Sequence, residues 1–129
     1  MKLQFLTPAL HGVLDYVAAA ALIALPFLLG FQGIELWLSV AGGAGLIAYS
    51  LLTDYAFGAV KLVSFDAHLL LDLAAGVAFI AAPFLLGFTA LASIYYPVMA
   101  AGVIAVVTRT SRANQSGRQT AAEIGRAHV

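Results

Sequence analysis

The chain has no cysteine, which excludes disulfides, thiolate metal sites and thiol catalysis. Charge is nearly as scarce: 9% of the 129 residues are Asp, Glu, Lys or Arg, against about 25% in soluble domains. Six basic and six acidic residues cancel, so no basic excess attracts nucleic acid. Hydrocarbon is what the chain has instead, with 63% hydrophobic residues and a mean hydropathy of +1.00. A soluble fold this short cannot hide so much apolar surface, because small domains keep a large surface for their volume. The composition calls for lipid as solvent.

Four apolar stretches cover residues 8–31, 36–52, 65–88 and 91–107. Each is long enough for a helix to cross a hydrocarbon core about 30 Å thick. None alternates polar and apolar residues as a barrel wall does, so the expected fold is an all-α membrane protein with four transmembrane helices. Lys2 followed by an Ala-rich run also has the look of a signal peptide. His11 and Asp15 interrupt that run, however, and the same segment returns later in the chain.

Shifting the chain by 57 positions aligns His11 with His68, Leu14 with Leu71 and Asp15 with Asp72. It also lays residues 26–31, Pro-Phe-Leu-Leu-Gly-Phe, on an identical run at 83–88, and Ala44-Gly45 on Ala101-Gly102. Thr7 meets Ser64, and both are good N-cap residues. Pro8 follows at the first helical position, where its missing N–H does no harm. The alignment needs no gap, so the chain is an internal duplication. Repeat 1 spans about 7–54 and repeat 2 about 64–110, together a transmembrane domain at 1–110. Residues 111–129 are polar and read as a disordered cytoplasmic tail, with a short surface helix at 121–126 as the alternative.

Each repeat holds two spans, so both enter the membrane from one side and are expected to be related by a pseudo-two-fold axis along its normal. Lys2, Lys61, Arg109, Arg112, Arg118 and Arg126 all fall on one side; the opposite turns, near Gln32 and Thr89, carry no basic residue. The positive-inside rule then puts both termini in the cytoplasm of a cell whose inner membrane holds the protein. Trp37, Tyr95 and Tyr96 are expected at the outer interface, and Tyr55 and Phe57 at the inner one.

The pairs His11/Asp15 and His68/Asp72 have a spacing of four, which puts both side chains on one helix face. Small residues on the same stripe turn that face toward the bundle interior. Ionisable groups at this depth cost about 2.5–3.5 kcal/mol on insertion scales, so something offsets the cost. Three readings stay open. The four residues are a structural clamp between hairpins, a proton or ion path, or a cofactor site, with His11 and His68 holding a haem iron or a divalent metal. No Ser nucleophile is placed near either histidine, so an enzyme is not expected. Thr53-Asp54 and Thr110-Ser111 end the second and fourth spans near the histidine level. They read as solvated helix ends, with membership of the polar cluster as the alternative.

Pro26, Phe27 and Gly30, repeated as Pro83, Phe84 and Gly87, read as a helix-end and turn motif. Proline bends or ends the helix, and glycine four residues later suits a left-handed cap. Gly42, Gly43 and Gly45 in the second span, with Gly102 in the fourth, form small-residue faces that allow close helix packing. Such faces close the bundle within one chain or join it to a second copy or another membrane protein.

The duplicated hairpin, with Leu25-Pro26-Phe27 and Ala82-Pro83-Phe84 each followed by Leu-Leu-Gly-Phe, resembles the SPW repeat integral membrane proteins. The family's Ser is Leu25 or Ala82 here, and its Trp is Phe27 or Phe84. The resemblance covers residues 8–110 and implies a bacterial or archaeal membrane protein of two repeats. It brings no activity, substrate or cofactor with it. The combined expectation is a non-enzymatic membrane protein, a structural or interaction subunit with an interior His/Asp cluster.

Overall fold

The computed structural model describes residues 5–55 and 57–110. Four helices follow in chain order: α1 at Pro8–Leu28, α2 at Gly33–Leu51, α3 at Phe65–Leu86 and α4 at Ala90–Arg109. All four are long and apolar enough to cross a membrane. Among the described residues there is no strand beyond two isolated bridges, Leu6 with Thr110 and Thr53 with Val63. The expected tail at 111–129 lies outside the described residues.

The helices begin where the caps dictate. Thr7 Oγ1 accepts the Leu10 N–H and Ser64 Oγ accepts the Ala67 N–H, both at 3.1 Å, which satisfies donors that the first turn leaves free. The odd helices end by a shared device. The Phe31 N–H reaches back to the Pro26 carbonyl at 2.9 Å and the Phe88 N–H to Pro83 at 3.2 Å. Gly30 and Gly87 between them take φ of 74° and 64°, the left-handed state that glycine adopts without steric cost. This stops α1 at Leu28, short of the apolar run that continues to Phe31. The returning phenylalanines enter the bundle: Phe31 meets Tyr95 edge-on at 5.1 Å, and Phe88 packs on Tyr96 at 4.9 Å.

Proline inside a helix frees the carbonyl four residues earlier. For Pro26 that carbonyl is Leu22, and Ser39 Oγ of α2 donates to it at 2.7 Å. The same hydroxyl lies 2.6 Å from the Tyr95 hydroxyl. Tyr95 and Tyr96 are therefore core residues, not the lipid-facing belt expected of them, because their hydroxyls find partners inside; Tyr96 donates to the Glu35 carbonyl at 2.6 Å. Trp37 does face outward, with the Phe27 ring edge-on at 6.0 Å.

The main contacts run within hairpins, α1 on α2 and α3 on α4, while the hairpins touch each other far less. Each hairpin has one Ala–Gly contact between its helices, tight in the first and ordinary in the second. In the first, a Cβ on Gly43 would lie 2.8 Å from the Ala19 carbonyl oxygen; in the second, a Cβ on Gly76 would lie 3.8 Å from that of Ala100. The shift of 57 carries Ala19 to Gly76 and Gly43 to Ala100, so the two residue types exchange helices between copies. Gly45 and Gly102 meet nothing within 4 Å. Both border an apolar cavity of about 660 Å³ between the hairpins, which Gly42, Phe79 and Met99 also line.

The exterior is hydrocarbon: Leu28, Phe84 and Leu85 are 79%, 84% and 80% exposed. His11, Ser39, Thr53 and His68 are fully buried. A polar interior inside an apolar shell is the reverse of a water-soluble fold, and lipid is the medium that satisfies it.

Candidate functional site

His11 and Asp15 stand one turn apart on α1, and His68 and Asp72 do the same on α3. The helices bring all four together, none more than 5% exposed, with one potential ligand atom from each lying within 4.8 Å of every other. The pairing crosses between repeats. His11 Nε2 is hydrogen-bonded to Asp72 Oδ2 at 2.9 Å and lies 3.1 Å from Asp15 Oδ1. His68 Nε2 lies 2.8 Å from Asp15 Oδ2 and 3.4 Å from Asp72 Oδ2. These are ion-pair distances, but neither contact of His68 Nε2 is aligned as a hydrogen bond.

The far ring nitrogens cross in the same way. His11 Nδ1 meets Thr110 Oγ1 at 2.7 Å, and His68 Nδ1 meets Thr53 Oγ1 at 2.8 Å. The threonines are buried members of the site, not the solvated helix ends expected from sequence. Each hydroxyl hydrogen is already committed: Thr53 donates to the Tyr49 carbonyl and Thr110 to that of Val106, both at 2.5 Å. A hydroxyl has one hydrogen, so each threonine oxygen accepts from its histidine, and Nδ1 carries a proton in both rings. Both Nε2 atoms then face carboxylates.

Two tyrosines complete the carboxylate shell. Tyr49 of α2 donates to Asp72 Oδ1. Tyr55, from the connection between repeats, donates to Asp15 Oδ2 at 3.0 Å. The shift of 57 carries Tyr49 to Val106, so the second repeat offers Asp15 no equivalent phenol and Tyr55 takes the place. Burial pushes the Tyr55 phenol up, and the Asp15 charge adds to this, so it remains a donor.

The connection holds Tyr55 by backbone bonds to the end of α2. The Ala59 N–H meets the Leu51 carbonyl at 2.7 Å, and the Asp54 N–H meets that of Val63 at 2.7 Å. Gly58 is required there, since a Cβ would fall 1.8 Å from the Thr53 carbonyl oxygen. Phe65 seals the site, edge-on to His11 at 5.4 Å and stacked on His68 at 6.0 Å.

Sequence reasoning missed Tyr49 and Tyr55. Tyr49 had a signal, since it precedes Thr53 by one helical turn on the same face. Tyr55 had none, because it lies in irregular backbone. Pro26, Pro83, Gly30 and Gly87 form the helix ends at the far side of the bundle, and Phe27 and Phe84 point outward there, 54% and 84% exposed.

Compared with known families, the chain matches the SPW repeat domain over residues 9–111. The chain belongs to the SPW repeat family. No curated protein and no solved structure matches it. The SPW match takes in both hairpins and all four members of the His/Asp centre. In this SPW repeat protein the motif proline is what frees the Leu22 carbonyl for Ser39. The motif aromatic, Phe27 or Phe84, faces outward near the helix end.

Proposed function

We propose that this SPW repeat protein is a non-enzymatic structural or interaction subunit of a membrane, held in one shape by the crossed His/Asp centre. The observation that carries the reading is the crossing itself: each histidine contacts the aspartate and the threonine of the other repeat. The hairpins also meet at the far end of the bundle, where Ser39, Phe31 and Glu35 contact Tyr95 and Tyr96. An apolar cavity lies between these two places, so the centre supplies the tie at its own end. The crossed bonds support a pseudo-two-fold relation between repeats. Catalysis finds no support here. The hydroxyls at the histidines, Thr53 and Thr110, donate to backbone carbonyls, and the phenols of Tyr49 and Tyr55 donate to the aspartates, so neither histidine stands as base to any of the four.

The centre would lie toward the cytoplasm of an inner membrane, on the side of Lys61 and Arg109, with both termini there. A second copy or another membrane protein would dock on the apolar exterior. Labelling of Gln32→Cys and Thr89→Cys in intact cells tests the orientation: both react with an impermeant reagent from outside if it holds, and reaction of only one removes it.

One observation favours a second reading. Asp15 and Asp72 also border the cavity, which would let a cation reach the carboxylates from within the membrane. On this reading Asp72→Asn abolishes ion flux in proteoliposomes while leaving the fold intact. On the structural reading wild type conducts nothing and the substitution lowers stability.

A further inference from the structure

We infer that the centre is a binding site for one divalent metal ion of the zinc class, held by His11 Nε2, His68 Nε2 and a carboxylate oxygen from each of Asp15 and Asp72. The inference rests on the crossed centre proposed above and adds its occupant.

Orientation is the first argument. Metal-binding histidines characteristically donate their second ring N–H to a fixed acceptor, which sets the tautomer and the ring direction. Both histidines do this, with Thr110 and Thr53 as the acceptors. Both Nε2 atoms are thereby aimed at the same point between the two carboxylates. His68 Nε2 is fully buried and has no aligned hydrogen-bond partner, although two carboxylate oxygens lie within 3.4 Å. A nitrogen close to two anions but bonded to neither fits a ligand to an ion between them.

Spacing is the second. In a tetrahedral zinc site with bonds of about 2.0–2.2 Å, neighbouring ligand atoms stand about 3.3–3.6 Å apart. The histidine–carboxylate separations here run from 2.8 to 3.4 Å, with His11 measured to Oδ1 of Asp15 and His68 to its Oδ2. The four ligand atoms lie within 4.8 Å of one another, so entry of the ion spreads the close pairs by a few tenths of an ångström and draws the widest pair in. A haem does not fit, because the aspartates fill the gap between the histidine rings, whose centroids are 5.4 Å apart. Two imidazoles and two carboxylates suit zinc better than the all-oxygen cations calcium and magnesium.

Charge is the third. Two carboxylates bring two negative charges, and a neutral imidazole turns a lone pair toward them. One divalent ion neutralises the site, as two Nε2 protons do, so exchange of the ion for two protons leaves the buried charge at zero. Burial without a net charge is what a low-dielectric site requires. Tyr49 and Tyr55 leave each aspartate an oxygen lobe for the ion while fixing its rotamer.

The test uses full-length protein in detergent, without a polyhistidine tag, stripped with chelator and dialysed against zinc chloride or cobalt chloride. One zinc ion per chain is expected. Cobalt is expected to give the intense visible bands of tetrahedral coordination, a readout on the unmutated chain that needs no variant. Asp15→Asn with Asp72→Asn should abolish binding, and His128→Ala should not change it. Thr53→Val should weaken binding about 10- to 100-fold without altering stoichiometry. Failure of the wild type to hold stoichiometric zinc, an octahedral cobalt spectrum, or undiminished binding by the double Asn variant overturns the metal site. Failure of the structural reading shows elsewhere: if zinc binds but the aspartate substitutions leave metal-free stability unchanged, the tie between hairpins falls and the site remains.

Discussion

Replacing Asp72 by Asn removes one charge from the bundle and keeps its shape. Asp72 contacts His11 Nε2 at 2.9 Å and His68 Nε2 at 3.4 Å, and accepts from Tyr49. In soluble proteins, loss of one partner from a buried pair costs about 3–5 kcal/mol. In bilayers, single polar contacts average about 0.6 kcal/mol and reach about 1.7, because helices unfolded from one another but still in the membrane find other partners. Three contacts at about 1 kcal/mol each, between the bilayer average and its upper value, give about 3 kcal/mol. That is roughly a hundred-fold shift in the folding equilibrium. The assay is reversible unfolding of metal-free protein in mixed micelles titrated with a denaturing detergent. Asp54→Asn is the control. Its pairing with Lys61 is 3.8 Å long with both side chains more than half exposed, and such pairs contribute about 0–1 kcal/mol. If Asp72→Asn falls within 0.5 kcal/mol of the control, the centre does not hold the hairpins together and the reasoning fails.

Other substitutions probe the packing that positions the centre. Gly43→Ala puts a methyl 2.7 Å from Ile23 Cγ1 and 2.8 Å from the Ala19 oxygen, and should destabilise by about 1–3 kcal/mol in the same titration. Gly45→Ala, with nothing within 4 Å, should not. Ser39→Ala leaves the Leu22 carbonyl and the Tyr95 hydroxyl without their partner, at a cost of about 1–3 kcal/mol read as a lowered thermal midpoint. Ser93→Ala, which loses only a 3.3 Å bond, should change the midpoint little.

The spans were legible because lipid imposes a minimum length and an unbroken apolar run, and the duplication because Pro-Phe-Leu-Leu-Gly-Phe returns without a gap. The His/Asp spacing of four marked a shared helix face. Which histidine meets which aspartate was not legible, since that depends on how hairpins pack, and the sequence shows only what each helix presents. Tyr55 was hidden for a related reason: its position comes from the backbone bonds and the Gly58 turn of an irregular connection, which no periodicity reports. Tyr95 and Tyr96 misled because an aromatic near a helix end looks the same in sequence whether its hydroxyl meets headgroups or a buried serine. Thr53 and Thr110 misled likewise, since a polar residue at the last turn reads as solvated until the other repeat covers it.

The crossing is tested most directly by a double-mutant cycle between His11 and Asp72 in lipid bicelles. His11→Asn keeps an amide N–H for Thr110 while removing Nε2, and the cycle cancels what that substitution also loses against Phe65 and Asp15. A coupling of about 1–2 kcal/mol is expected for this hydrogen-bonded pair from different repeats. Additivity within about 0.3 kcal/mol would mean that the two residues do not meet, and the account of how the hairpins are joined would be wrong.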